Sequence, residues 1–256
     1  MDADAQVPAT TTRPYGVPVP PSSAPRGTPT VLLHLWGVPP RAVPRALLRM
    51  ATTRPLLRDT PGLSFAKLLG TGDGRTFTAR DADPLHWGMI TAWDDDAAAT
   101  QFAAGAHRAV ESWQRIAQEQ LVVRMAPLAS RGTWAGRAPF GDPTPRRTAG
   151  PVASITRARI ATRKTLTFWR AVPRVSADLH QVDGLRLAVG IGEAPVGLQG
   201  TFSLWRDSAA LNEFAHGRQP HREVVCRTPL EHWYVEELFA RFEVLAVDGT
   251  FAGERP

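Results

Sequence analysis

The groups in this 256-residue chain that could ligate a metal or move a proton are seven histidines, one cysteine, two lysines and a few clustered carboxylates. A neutral imidazole binds iron or zinc through one ring nitrogen while an acceptor holds the other. His221, in AHGRQPHREVV, follows Pro220 and has Arg218 and Arg222 close by; His216 lies in the same segment. His34, His86 and His180 fall in or near strand and loop segments, His107 follows a helical stretch, and His232 stands beside Trp233. Cys226 is the only thiol, so an intramolecular disulfide and a zinc site of several thiolates are both impossible. No C-x-x-C-H is present for covalent haem attachment, and neither G-x-S-x-G nor H-E-x-x-H occurs. A thiolate-bound haem at Cys226 is the minor alternative to a small apolar cysteine on a buried helix face.

Two further groups fit less specific chemistry. Lys67 lies in FAKLLGTGDG, whose glycines lack the spacing of a phosphate-binding loop and read instead as a hairpin turn. A lysine on such a strand faces solvent or turns into a cavity. Glu236 and Glu237 sit in a stretch that reads as a helix, or a helix-to-strand transition, with Glu237 and Arg241 at the i, i+4 spacing of a helical ion pair. Adjacent carboxylates diverge on a helix, which argues against hydrolysis by a carboxylate pair.

Apolar residues make up 43% of the chain and charged residues 21%, the balance of an ordinary globular protein. The net charge is +6 and nearly all of the cations are arginine, but the arginines are scattered, with Arg146 and Arg147 the only two adjacent to each other. Nucleic-acid binding would need clustered cations with interleaved aromatics, so it is not expected. No run of ~20 apolar residues is present and the N-terminus lacks a signal-peptide pattern, so a cytoplasmic protein is expected.

Prolines crowd residues 1–29, which read as a disordered leader, and GDPTPRRTAG at 141–150 reads as a linker. The blocks on either side of it, 30–140 and 151–256, repeat the same features in the same order. TVLLHLW matches VASITRARI as a first strand, and helical stretches follow at 42–57 and 164–179. PGLSFAKLLGTG and DGLRLAVGIGEA come next as second strands. WGMITAWDDDAAATQFA then matches QGTFSLWRDSAALNEFA, placing Trp93 on Trp205 and Phe102 on Phe214, and RGTWAGRAPF matches DGTFAGERP. A strand that ends in Trp and runs into Asp94 to Asp96, or into Asp207 and Ser208, is a strand entering a helix cap. Each block therefore predicts strand, helix, strand, strand, helix, strand, a ferredoxin-like unit of the α+β class. Two such units in one chain predict an intramolecular version of the dimeric α+β barrel, with cavities between sheet and helices. Trp36, Phe65, Trp93, Trp169, Phe202 and Trp205 are expected in its core or lining a cavity.

Over about residues 31–253, PGLSFAKLLGTG, RGTWAGRAPF, FWRAVPRVSADL, VGIGEAP, FSLWRDSAALNEFA and WYVEELFARFEVL resemble the spheroidene monooxygenase family. The resemblance implies a monooxygenase that uses dioxygen at a b-type haem and electrons from a reduced ferredoxin to oxidise an acyclic carotenoid. Under it, His221 is the expected axial iron ligand, with His216 and His107 next in order. Arg218 and Arg222 are candidates for pairing a haem propionate, although on opposite helical faces only one could do so. Lys67 is a third such candidate if it faces the cavity. Peripheral contact with a membrane is a further expectation. The chain departs from the family pattern in its leader, in PLEHWYVEEL and at His107, which leaves the substrate open. Haem-dependent dehydratases, cofactor-free oxygenases and non-catalytic haem or lipid binders share the fold and remain alternatives.

Overall fold

The computed structural model describes residues 29–73, 81–160, 182–193, 200–217 and 234–256. In the first half, β1 (Thr30–Gly37), α1 (Val43–Leu57), β2 (Leu63–Gly72) and β3 (Ala82–Trp93) precede two short helices, α2 (Asp96–Ala103) and α3 (Arg108–Gln114), and then β4 (Glu119–Gly132). In the second half the described elements are β5 (Val152–Ile160), β6 (Leu185–Gly192), β7 (Gly200–Trp205), α4 (Ser208–Asn212) and β8 (Tyr234–Gly249). The expected helix at 164–179 lies outside the described residues.

All neighbouring strands are antiparallel, in the order β4-β1-β3-β2 in the first half and β8-β5-β7-β6 in the second. Pairing of β2 with β6 and of β4 with β8 closes the two sheets into one eight-stranded barrel. The α+β barrel expected from the repeat is thus present. Its seams are unequal: β4 and β8 pair over eleven residues each, whereas β2 and β6 share three pairs, Gly70 to Gly72 with Gly192 to Gly190.

Strand alternation sends every second side chain inward. Val31, Leu33 and Leu35 of β1, Ala153 and Ile155 of β5, and their counterparts on the other six strands merge into one interior core. Trp134 and Phe140, from the segment after β4, fill the same core. The opposite face of the first sheet packs Leu32, Trp36, Trp87, Met89 and Trp93 beneath α1, α2 and α3.

The duplication reaches the level of single contacts. Trp93 pairs with Thr30, as Trp205 pairs with Val152. Trp93 Nε1 donates to Thr91 Oγ1 and Trp205 Nε1 donates to Ser203 Oγ, each at 2.8 Å. Phe102 packs on Trp93 and Phe214 on Trp205, with ring centroids 4.8 and 5.4 Å apart. Asp95 caps α2 by accepting from Ala97 and Ala98 amides, and Asp207 caps α4 by accepting from Ala210. Gly132 and Gly249, at φ +92° and +98°, bring the chain so close to a carbonyl that a Cβ would lie 2.1 Å from the Glu237 oxygen or 1.9 Å from the Gln120 oxygen.

One expectation fails. The segment with Glu236, Glu237 and Arg241 is strand β8 from Tyr234 onward, not a helix. Leu238, Ala240 and Phe242 recur every second residue and fill the barrel interior, and that burial outweighs the helical preference of Glu and Arg. Glu237 and Arg241 make no mutual pair: Glu237 lies 4.0 Å from Arg131, and Arg241 donates to Asn212 Oδ1.

Candidate functional site

Two regions of the second half differ from their counterparts in the first, and both bear on chemistry. One is a charged cluster in the barrel interior. The sequence V-A-S-I-T-R places Arg157 on the inward register of β5, after Ala153 and Ile155. Only 3% of its side chain is exposed. Its Nη2 donates to Glu193 Oε1 at 2.6 Å and its Nη1 to Glu236 Oε2 at 2.9 Å, while the guanidinium stacks 5.1 Å from the Trp134 ring.

Each carboxylate in the cluster is fully engaged. Glu193 also accepts from Lys67 Nζ at 2.5 Å and from Trp134 Nε1 at 2.7 Å. Glu236 accepts from the Gly136 amide at 2.8 Å and from Thr133 Oγ1 at 3.1 Å. Burial pushes the Glu193 carboxyl up, but Lys67, Trp134 and Arg157 outweigh it and hold it below the usual range. For Glu236, burial is likewise outweighed by the Gly136 and Ala135 amides and by Arg157, leaving its carboxyl at about 2. Both are anions at neutral pH and neither can donate a proton there. The space between Leu69, Ile191, Trp134 and Arg157 is too narrow for a water molecule. The cluster is therefore a clamp: it joins β2, β5, β8 and the segment after β4 to the end of β6, and it reinforces the short seam between β2 and β6.

The other region is the outer face of the second sheet. Matched through the tryptophan strands, Leu32, His34 and Trp36 of β1 correspond to Ser154, Thr156 and Ala158 of β5. Met89 of β3 corresponds to Thr201 of β7, and Leu68 of β2 to Gly190 of β6. Where the first half fills the layer between sheet and helices with bulk, the second presents small and hydroxyl-bearing side chains. Ser154 and Ser203 bond to each other at 2.8 Å. On this face Thr156 is exposed and Thr201 half-buried.

The candidate histidines are distributed unevenly. His221, Arg218 and Arg222 lie outside the described residues, as do His180, His232 and Cys226; His216 lies in the π-helical turn Glu213–Gly217 after α4. His107 caps α3: its Nδ1 accepts from the Ala109 amide, so its Nε2 carries the proton and donates to Thr60 Oγ1 at 3.3 Å. His86 is bound to Asp83 at 2.6 Å, which raises its pKa. His34 is fully buried between Trp36 and Phe102 with no hydrogen-bond partner on either nitrogen, and burial lowers its pKa to about 3. Lys67 faces the barrel interior rather than solvent and is held by Glu193. Among the described residues no three His, Cys, Asp or Glu side chains gather as a metal site.

Sequence reasoning missed Arg157, Glu193 and Trp134 as a unit. A legible signal existed, since an arginine on the apolar register of a strand requires a buried counter-charge.

No protein-family model matches the chain. It is 36% identical over 220 residues to a spheroidene monooxygenase of Rhodobacter capsulatus, a match covering 84% of this chain and 89% of that protein. It is also 36% identical over 207 residues to a spheroidene monooxygenase of Rubrivivax gelatinosus, covering 80% and 78% respectively. Among solved structures, the fold is similar to that of aldoxime dehydratase, with a TM-score of 0.52 at 12% identity over 85% of this chain and 82% of that one.

Proposed function

This chain belongs to the spheroidene monooxygenase family and is a monooxygenase, and from that premise we propose that it oxidises an acyclic carotenoid at a b-type haem. One oxygen atom of dioxygen enters the substrate and the other leaves as water, with two electrons from a reduced ferredoxin-like donor and two protons from solvent. The observation that carries the placement is the change from Leu32, His34, Trp36 and Met89 to Ser154, Thr156, Ala158 and Thr201 on the outer face of the second sheet. A macrocycle needs that layer to be clear of large side chains, and a carotenoid chain needs an apolar wall beside it.

His221 is the ligand proposed for the iron, with Arg218 or Arg222 pairing a propionate. A haem bound there supplies the redox-active metal that reduces dioxygen. The chain's own part is positional. Trp205, Leu211 and Phe214, all buried, form a dry border beside α4. Thr156 and Thr201 are the hydroxyls open at the sheet surface, beside the bonded pair of Ser154 and Ser203. Behind the sheet, Arg157 fixes β5 to β8 and to the end of β6, so that the face presented to the ligand keeps its shape.

The test is turnover of an acyclic carotenoid in detergent with a reduced ferredoxin under isotopically labelled dioxygen. The proposal expects one labelled oxygen per product and no product without reductant. Unlabelled product, or turnover in the absence of dioxygen, would contradict it.

A further inference from the structure

Helix α1 carries an apolar stripe on the side turned away from the sheet. Ala46, Thr53 and Leu57 face the core, yet Pro44, Leu48, Ala51 and Pro55 recur at i, i+4, i+7 and i+11 on the exposed side. Leu48 is 55% exposed, and Leu47 and Leu56 beside the stripe are 44% and 39% exposed. One exposed leucine is ordinary, but a stripe three turns long is not.

Arginines flank the stripe. Arg41, Arg45, Arg49, Arg54 and Arg58 lie within or next to α1, and no Asp or Glu occurs between Thr30 and Arg58. On a helical wheel Arg45 and Arg54 fall on opposite sides of Leu48. Arg41, Arg45, Arg54 and Arg58 make no ion pair with any carboxylate among the described residues. At the C-terminal end of α1, Arg54 and Arg58 meet Arg137 around an open groove of about 210 Å³ floored by Leu57, Leu63 and Leu68.

We propose that this face of α1 is a membrane-docking surface that seats on an anionic lipid bilayer, with Leu47, Leu48 and Leu56 at the boundary of headgroups and acyl chains and the arginines on lipid phosphates. Apolar side chains on the outward face, cations on both flanks and no acidic residue form the pattern of a helix that lies in a bilayer interface. No helix among the described residues is long and apolar enough to cross a membrane, so contact through α1 is peripheral. A second copy of the chain fits worse, because a two-fold contact along the stripe would set one arginine flank against the other. An acidic protein would match the arginines but would place its charges against the prolines and leucines. The surface uses none of the residues proposed to hold the cofactor, so either idea can fail without the other.

The test is co-sedimentation of the full chain with vesicles of phosphatidylcholine, with and without phosphatidylglycerol. Binding is expected only with the anionic lipid and should weaken with salt. Each arginine near the surface contributes about fivefold, so Arg45→Glu/Arg54→Glu should weaken binding by about 25-fold or more. Leu47→Ser/Leu48→Ser should also weaken it, and the unchanged melting temperature of both variants would show that the fold is intact. Absence of binding to anionic vesicles, or equal binding by the native chain and both variants, would overturn the proposal. So would a dimer broken by the leucine variant in the absence of vesicle binding.

Discussion

Arg157 stands in the second half of the barrel where Leu35 stands in the first: each enters the interior opposite a glycine, Gly200 or Gly88, and opposite a leucine, Leu238 or Leu121. One copy of the repeat keeps an apolar plug at this point and the other has an arginine with two carboxylates. A buried charge that loses its partner costs far more than a neutral replacement of the whole group. Arg157→Leu should therefore destabilise the protein by about 3–5 kcal/mol in urea unfolding. Adding Glu193→Thr and Glu236→Gln together with Lys67→Met, which removes the remaining interior charge, should recover most of that loss, because Thr71 already occupies the place equivalent to Glu193 in the first half.

Acid should weaken the same clamp. The Glu236 carboxyl is held at about 2 in the folded chain, below its ordinary 4.5. A depressed carboxylate stabilises the fold above its unfolded pKa and loses that contribution as pH falls toward the folded value. Stability should drop between pH 4.5 and about 2, and Glu236→Gln should flatten the drop in a pH series of unfolding curves.

Lys67 governs the weaker seam. With three residue pairs between β2 and β6, the ion pair from Lys67 to Glu193 supports much of the local closure. In Lys67→Met, the amides of residues 70–72 and 190–192 should exchange with deuterium faster by about tenfold or more, while those between β4 and β8 change little. Equal acceleration at both seams would show that the lysine has no local role.

His34 gives a separate pH signature. It is neutral when folded, with a pKa of about 3, and titrates near 6.5 when unfolded. Its depressed value makes the folded state lose stability as pH falls below 6.5, by about 1.4 kcal/mol at one unit below. His34→Leu also removes two buried unpaired nitrogens and should stabilise the protein by about 1 kcal/mol at neutral pH. The advantage of the variant should grow by about 1.4 kcal/mol between pH 7.5 and 5.5, measured by denaturant titration.

Legibility followed the range of the interaction. The repeat, the Trp93 and Trp205 strands and the caps at Asp95 and Asp207 are written in short segments, and each was readable. The strand at Glu236 was not, because its local residues favour helix and only the barrel interior, assembled from both halves, rewards its alternation. The charged cluster joins Lys67 to Glu193 and Trp134 to Arg157 across distances in sequence that no motif spans. Lys67 read more readily as solvent-facing; only the position of Glu193 decides that it turns inward.

The most direct test of the account is the absorption spectrum of the chain purified after expression with added haem, compared with His221→Ala and with Thr201→Met. An intense haem band is expected in the native protein. His221→Ala should lose it through the iron ligand, and Thr201→Met should weaken it by restoring the bulk that Met89 provides in the first half. A native protein without the band, or a band unchanged in both variants, would contradict a haem held on the outer face of the second sheet.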